Sequence, residues 1–425
     1  MKPRTAASRR GRRLASIGVL AVSLLLGACN KGADPAQAPA GLATTAVQAG
    51  SAAPSTTPGT AAQPAANGSG PYAHAGAGEL TGAARSARPL VYVPNQVAGT
   101  LEIIDPATNR IITHVRVPAS PEHVVPSWDL STLWVNSDKG DALTPIDPRT
   151  GRVGKPVAVR DPYNLYFTPD GRNALVMASR FRSIDVRDPK TMRLVRSLPV
   201  PRCAGINHAD FTADLTHLLV SCEFSGHLLV LDAHATRVLK VLDFNGIHTP
   251  GEVSSAMARV MAGPRSELAA GANSMPQDVR LTPDAKFFMV ADMLRNGVWF
   301  INTTTFTVDH FVPTGKGAHG IYPSRDATRI FVTNRDEGTI TVFDARTDAI
   351  ITKWVIPGHA TPDMGGVTAD GSQLWLSGRY SSAVYVINTT TGRLIREFHT
   401  DAGPHGLLVW PQPGRFSLGH TGNTR

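Results

Sequence analysis

The sequence is poor in cysteine, aromatic residues and charge. Of 425 residues only three are cysteine, 6% are aromatic and 18% are charged. So few cysteines cannot form a disulfide framework, and a chain of this length can bury a core without one. There is no CxxCH, which excludes covalently attached c-type haem. No GxxxxGK[ST] phosphate loop, GxSxG elbow, HExxH or CxxC spacing occurs, and no paired-carboxylate motif can be placed. The sequence therefore carries no signature of a common nucleotide-, ester- or metal-hydrolysing site. The composition suits strands packed through Val, Ile and Leu.

The N-terminus reads as a targeting signal. Residues 1–13 carry six basic side chains and no acid, and Leu14–Leu26 is apolar but too short for a stable bilayer-spanning helix. Leu26-Gly27-Ala28-Cys29 follows. A basic region, an apolar core, small residues and then cysteine resemble the lipobox of bacterial lipoproteins. The resemblance implies a signal peptide over residues 1–28, lipidation of Cys29, and membrane attachment through that lipid. The alternative is an ordinary cleaved signal. The expected location is the cell envelope, facing the periplasm; Asn30 lacks the Asp associated with inner-membrane retention, which fits outer-membrane sorting. Arg9-Arg10 leaves the general secretory and twin-arginine routes both open. Six of the 42 basic residues lie in the signal, and the rest nearly balance 33 acidic ones, so no nucleic-acid partner is expected. Residues 29–89, dominated by Ala, Gly, Pro, Ser and Thr, predict a disordered linker.

What the chain does have is a repeat. Within Ala318–Pro357 four short apolar segments, His319–Pro323, Arg329–Thr333, Thr339–Phe343 and Ile350–Val355, are separated by Asp- and Gly-containing turns, which predicts a strand meander. The first turn's Asp recurs at Asp129, Asp170, Asp214, Asp284, Asp326 and Asp370, at intervals of 41, 44, 70, 42 and 44. A second marker recurs at Asp105, Asp147, Asp188, Asp232, Asn302, Asp344 and Asn388. The two ladders keep step, and four strands per period of this length predict a propeller; seven second markers predict seven blades. The first unit begins at Leu90 without an innermost strand, while Pro404–Val409 copies one without a successor. The fold class expected is all-β, a seven-bladed β-propeller over residues 90–420 whose N- and C-terminal strands close the first blade, with residues 421–425 as a tail. The long interval places an insertion, His248–Met275, between blades 4 and 5; Ser254–Met261 within it predicts a short helix.

Counting seven residues back from each turn Asp, or from Gln412, gives Glu122, Tyr163, Asn207, Gln277, His319, Asp363 and His405. All are polar and all start innermost strands. They are expected to ring one mouth of the central channel, with His208, Arg335 and Arg379 beside them. His319, His405 and Asp363 are candidate metal ligands, and the two arginines suit a small anionic ligand; the same residues could equally serve only to satisfy strand ends. Cys203 and Cys222 fall nearly opposite each other across the hairpin of blade 4. They predict a disulfide, with free buried thiols or thiolate ligation of a metal as alternatives.

Phe331-Val332-Thr333-Asn334, Leu133-Trp134-Val135-Asn136, Val91-Tyr92-Val93-Pro94, the Thr-Pro-Asp turns at Thr168 and Thr282, and Pro404-His405-Gly406 resemble the YVTN-type β-propeller repeat family. That family implies the fold, often in surface or periplasmic binding modules. The architecture also resembles the haem-d1 propellers of cytochrome cd1 nitrite reductases and of d1-haem maturation proteins, which implies His208, His319, His405, Arg335 and Arg379 as possible haem contacts. A related propeller family has lactonase activity. The reading taken forward is a monomeric, membrane-anchored, non-catalytic module that binds a protein or small ligand through one face. The alternatives are a metal or haem-d1 carrier and a lactonase-like hydrolase.

Overall fold

The structure is a computed structural model that describes residues 70–249, 269, 271–420 and 423–425. The signal, Cys29 and the expected helix at 254–261 lie outside those residues. Among the described residues, seven antiparallel sheets form the fold. Blade 6 is typical: Ala318–Pro323, Arg329–Asn334, Thr339–Asp344 and Ile350–Val355 pair in chain order. Blade 1 takes its innermost strand from the other end of the chain. Leu408–Trp410 pairs with Leu90–Asn95 in the register Leu90↔Trp410, Val91↔Val409 and Tyr92↔Leu408. Blade 2 carries an extra two-residue strand, Val157–Ala158, beside Ala142–Asp147.

The burial pattern follows from blades packing face to face. Strands with a blade on either side are buried at nearly every position, as in Arg329–Asn334, so apolar and polar residues do not alternate cleanly there. Outermost strands such as Ile350–Val355 are largely exposed. Each neighbouring pair of blades shares an apolar cluster. Met289, Val298 and Phe300 of blade 5 meet Ile321, Ile330 and Phe343 of blade 6. Val91, Val93 and Ile104 of blade 1 meet Trp375, Val384 and Val386 of blade 7, which closes the circle. Each such fully buried side chain is worth about 1.5–3 kcal/mol relative to exposure.

The turns explain both ladders. Asp326 accepts from the Ser324 hydroxyl at 2.5 Å and the Thr328 N–H at 3.1 Å, and Asp284 does the same with Thr282 and Lys286. The second marker closes an Asx turn: Asp344 accepts from the N–H groups of Arg346 and Thr347, and Asn388 from those of Thr390 and Thr391. Asn does this as well as Asp, which is why both occupy the marker.

Two segments depart from expectation. Residues 70–89, read as the end of a disordered linker, fold into turns and a 3-10 helix at Gly82–Ser86. Ala84 is buried, the Tyr72 hydroxyl donates to the Leu281 carbonyl at 2.8 Å, and Leu80 bridges Gly414. A few apolar anchors outweigh a linker-like composition here. Beyond Trp410 the chain turns into the channel, and residues 423–425, read as part of a tail, are buried there. The Leu418 carbonyl accepts the Phe167 N–H, and the His420 N–H donates to the Leu165 carbonyl, both at 3.0 Å. A Cβ at Gly419 would lie 2.4 Å from the Leu165 carbonyl oxygen, so only glycine lets the tail come this close to blade 3.

Candidate functional site

The channel is lined by innermost strands, and six of them, in blades 2–7, break register near the same level. In blade 6, Ala318 opposes Asn334 and Ile321 opposes Val332, so two residues, His319 and Gly320, face the single Thr333. A bulge of this kind suspends alternation and brings successive side chains towards the axis. Hydroxyls on the second strand stitch it. Ser221 accepts the His208 N–H at 3.0 Å, Thr333 the Gly320 N–H at 2.8 Å, and Ser377 the Met364 N–H at 3.2 Å. This is a physical role for the threonine of Phe331–Asn334. The asparagine has another: Asn334 Nδ2 donates to the hydroxyls of Thr339 and Thr341 at 3.0 and 2.9 Å, bracing the next turn.

At the mouth the expected residues form two linked groups. His405 Nδ1 lies 2.8 Å from Glu122 Oε2, and its Nε2 lies 2.8 Å from Arg379 Nη1. Since Arg379 can only donate, His405 Nε2 accepts and Nδ1 carries the proton towards Glu122. Glu122 also accepts from Gln96 at 2.7 Å and Ser120 at 3.0 Å. In the second group, Asp363 Oδ1 lies 3.0 Å from Arg335 Nη1 and 3.1 Å from His319 Nδ1. His405 Nε2 and Asp363 Oδ2 lie 3.6 Å apart with no proton between them, so the groups meet there without a hydrogen bond, and His319, Asp363 and His405 could hold a metal between them. Of the two arginines read from sequence as available for an anion, Arg335 is paired with Asp363, and Arg379 donates to His405 and lies 3.8 Å from Glu122. Asn207 donates to Glu223 at 3.1 Å and Gln277 to the Met275 carbonyl at 3.2 Å. Asn207 Oδ1, Gln277 Oε1 and Asp363 Oδ2 are buried without partners. The Tyr163 carbonyl lies 3.0 Å from His123 Nδ1. In blade 4, Cys203 and Cys222, both buried, are joined by a disulfide.

Below this ring lies a second layer that the sequence reading missed, except for His208. His123, His208 and His420 meet with ring centroids 5.5, 5.2 and 4.5 Å apart, and His123 also reaches His405 at 4.8 Å. Burial pushes His123 down to about 4 and holds His208, His319, His405 and His420 well below the usual imidazole range, so all five are uncharged at neutral pH. For His319 the charges of Arg335 and Arg379 add to burial and outweigh the nearby Asp363. Asp138, near the mouth, is raised to about 7 by burial and then by the charge of Glu122. Deeper still, Asp210 accepts from Arg425 at 2.7 Å and Asn423 at 2.8 Å, and the Arg425 guanidinium stacks over Tyr72. A signal for part of this layer existed: the positions one after the ring, His123, Asn164, His208 and Asp278, are polar in four successive blades. Nothing in the periodicity pointed to His420 or Arg425, which lie beyond the last repeat.

Residues 65–190 and 258–413 match the YNCE-like beta-propeller family. The chain belongs to that family. None of the curated proteins matches this YNCE-like propeller in sequence. Among solved structures it is similar to hydrazine synthase of Kuenenia stuttgartiensis, at 19% identity and a TM-score of 0.55 over 72% of this chain and 94% of that one. It is also similar to a putative 6-phosphogluconolactonase of Bacteroides fragilis, at 15% identity and a TM-score of 0.54 over 75% and 97%. A third is dihydro-haem d1 dehydrogenase NirN in complex with DHE, at 15% identity and a TM-score of 0.51 over 73% and 63%. At these identities the likeness is one of fold, and propellers carry unrelated chemistries.

Proposed function

We propose that this YNCE-like propeller is a lipid-anchored, periplasm-facing binding module without catalytic activity, and that its channel mouth takes a small cation or an ammonium-bearing molecule. The observation that carries this reading is the set of buried, unpartnered acceptors at the mouth, Asn207 Oδ1, Gln277 Oε1 and Asp363 Oδ2. Buried acceptors without donors are costly, and a ligand rich in donors would satisfy them. An anion is less favoured, because Arg335 is paired with Asp363 and Arg379 is held by His405 with Glu122 3.8 Å away. A non-catalytic role is supported by His405, both of whose ring nitrogens are engaged and not available as a general base. A haem-d1 carrier is disfavoured by the mouth side chains, which interlock at hydrogen-bond distance where a planar macrocycle needs a slot. The disulfide in blade 4 supports an oxidising compartment.

The test is a thermal-shift and calorimetric comparison on the chain from residue 30, which lacks the lipidated cysteine, using spermidine, lysine and Mg2+ against phosphate and citrate. Saturable stabilisation by a member of the first group is expected. Gln277→Met with Asn207→Leu, which leaves both arginine pairs in place, should abolish it without loss of fold. Stabilisation by the anions alone, or binding unchanged in the double variant, would remove the mouth from consideration as a cation site.

A further inference from the structure

We propose that His123, His208 and His420 form a binding site for one divalent late transition-metal ion, and that this ion clasps the C-terminal segment inside the channel. The site is separate from the acceptors of the mouth, and the inference does not depend on anything binding there.

Each of the three rings offers a donor atom within 4.8 Å of the other two, and all three residues are buried. Their origins differ: His123 comes from blade 2, His208 from blade 4, and His420 from the segment that enters the channel after the last strand. Imidazole nitrogen is the ligand preferred by Zn2+, Cu2+, Ni2+ and Co2+, and three such ligands leave a fourth position for water or another group.

Two further observations point to an ion. His123 Nε2 and His208 Nε2 are buried and have no partner. For His123 the reason is visible, because Nδ1 faces the Tyr163 carbonyl at 3.0 Å and must donate to it, which leaves the lone pair on Nε2. Nδ1 of His208 and Nδ1 of His420 lie 3.3 and 3.4 Å from Asn164 Nδ2, which can only donate, so an ion would bind His208 through Nε2 only once the ring proton moves to Nδ1 and the Asn164 amide turns to accept it. Metal-binding histidines are oriented in this way, with the far N–H given to a carbonyl or carboxylate. For His420 the nearest carboxylate is Asp278, whose Oδ1 lies 3.8 Å from Nε2, too far for a hydrogen bond until the ring shifts. Asp278 is itself anchored by the Ile321 N–H at 2.9 Å. Bonds of about 2.0–2.1 Å to a tetrahedral ion require nitrogens roughly 3.3 Å apart, so the rings would have to close by little more than an ångström. Room for His123 is kept by Gly406, where a Cβ would meet its ring at 2.1 Å. Because His420 hangs on the tail while the other two ligands sit in blades, binding the ion and docking the tail are one event.

Chelator-treated mature protein would be titrated with Co2+ and Zn2+, followed by calorimetry, by native mass spectrometry and by the visible d–d bands of Co2+. The expected result is one equivalent bound, with nitrogen-type Co2+ bands and slower tryptic cleavage at Arg415. His123→Ala, His208→Ala and His420→Ala should each weaken binding by more than the roughly 10–100-fold that loss of an outer-shell partner costs, while His319→Ala keeps the ion. Folding of each variant is checked by near-UV circular dichroism, and the glutamine variant replaces any alanine variant that fails. No stoichiometric binding to the wild-type chain would overturn the proposal. So would binding that survives in folded His208→Ala or His208→Gln, or tail cleavage that is indifferent to the ion.

Discussion

Five neutral imidazoles buried in one channel make stability depend on pH in a definite sense. In the unfolded chain each histidine takes a proton near pH 6.5, whereas in the folded channel His123 holds out to about 4 and the other four are also well depressed. Between those limits the unfolded state binds more protons, so stability falls as pH falls. Each group contributes up to about 1.4 kcal/mol per pH unit within its window. Asp138 acts in the opposite direction. Raised to about 7, it is protonated in the folded state while the unfolded carboxyl is still ionised, so it adds stability as pH drops. Asp161, Asp278 and Asp336, also raised by burial, act in the same direction as Asp138. Five histidines outweigh Asp138 in the upper part of the window. The metal-free protein should therefore lose thermal stability steadily from pH 7.5 to 5.5, and His208→Gln should flatten the slope. A melting temperature that holds constant or rises over that interval would mean that the imidazoles are not buried neutral.

At the scale of the element, the repeated turn sets register and shows how much of the molecule could be read from its sequence. The residue after each turn Asp adopts a positive φ: Leu130 at 64°, Gly171 at 67°, Leu215 at 60°, Ala285 at 61°, Ala327 at 55° and Gly371 at 79°. Alanine is strained in that region and glycine is not, so Ala327→Gly should stabilise the protein by up to about 1 kcal/mol. The reverse change at Gly171 should cost more than that, because its Cβ would meet the Trp128 ring at 2.5 Å. Urea denaturation of the two variants decides the point; equal and opposite effects would show that the turn conformation alone matters. The Asp ladders made the blades, their number and the closing strand legible, since each marker does the same local job in every copy. The mouth ring was legible for the same reason, as a fixed offset from that marker. The second histidine layer was not, because the offset assumed strict alternation and the bulges at Glu122-His123 and Asn207-His208 suspend it. His420 and Arg425 were out of reach, since a segment outside the repeat has no register to inherit.

For the whole molecule, the end of the chain does two separable things. Leu408–Trp410 supplies a strand of blade 1 and covers the edge of Leu90–Asn95, and the described residues after it, 411–420 and 423–425, pack into the channel. The two roles predict different consequences of truncation. Deleting residues 415–425 leaves the ring of blades intact but strips Asp210, which is fully buried, of Arg425 and Asn423. The Leu281 N–H, at 2.9 Å, remains as a donor to the other carboxylate oxygen. Removing one partner of a buried pair costs about 3–5 kcal/mol, so a folded, monomeric protein with a clearly lower unfolding midpoint is expected. Arg425→Ala alone should account for much of that loss. Deleting residues 404–425 also removes the closing strand, exposes the backbone edge of Leu90–Asn95 and strips Val409 and Leu407 from the cluster between blades 7 and 1. That chain should associate or aggregate instead of giving a monomer with a cooperative transition. Size-exclusion chromatography with chemical denaturation separates the cases. Equal behaviour of the two truncations would mean that the strand and the plug act as one unit, and that the circle is held shut from inside the channel and not at the seam.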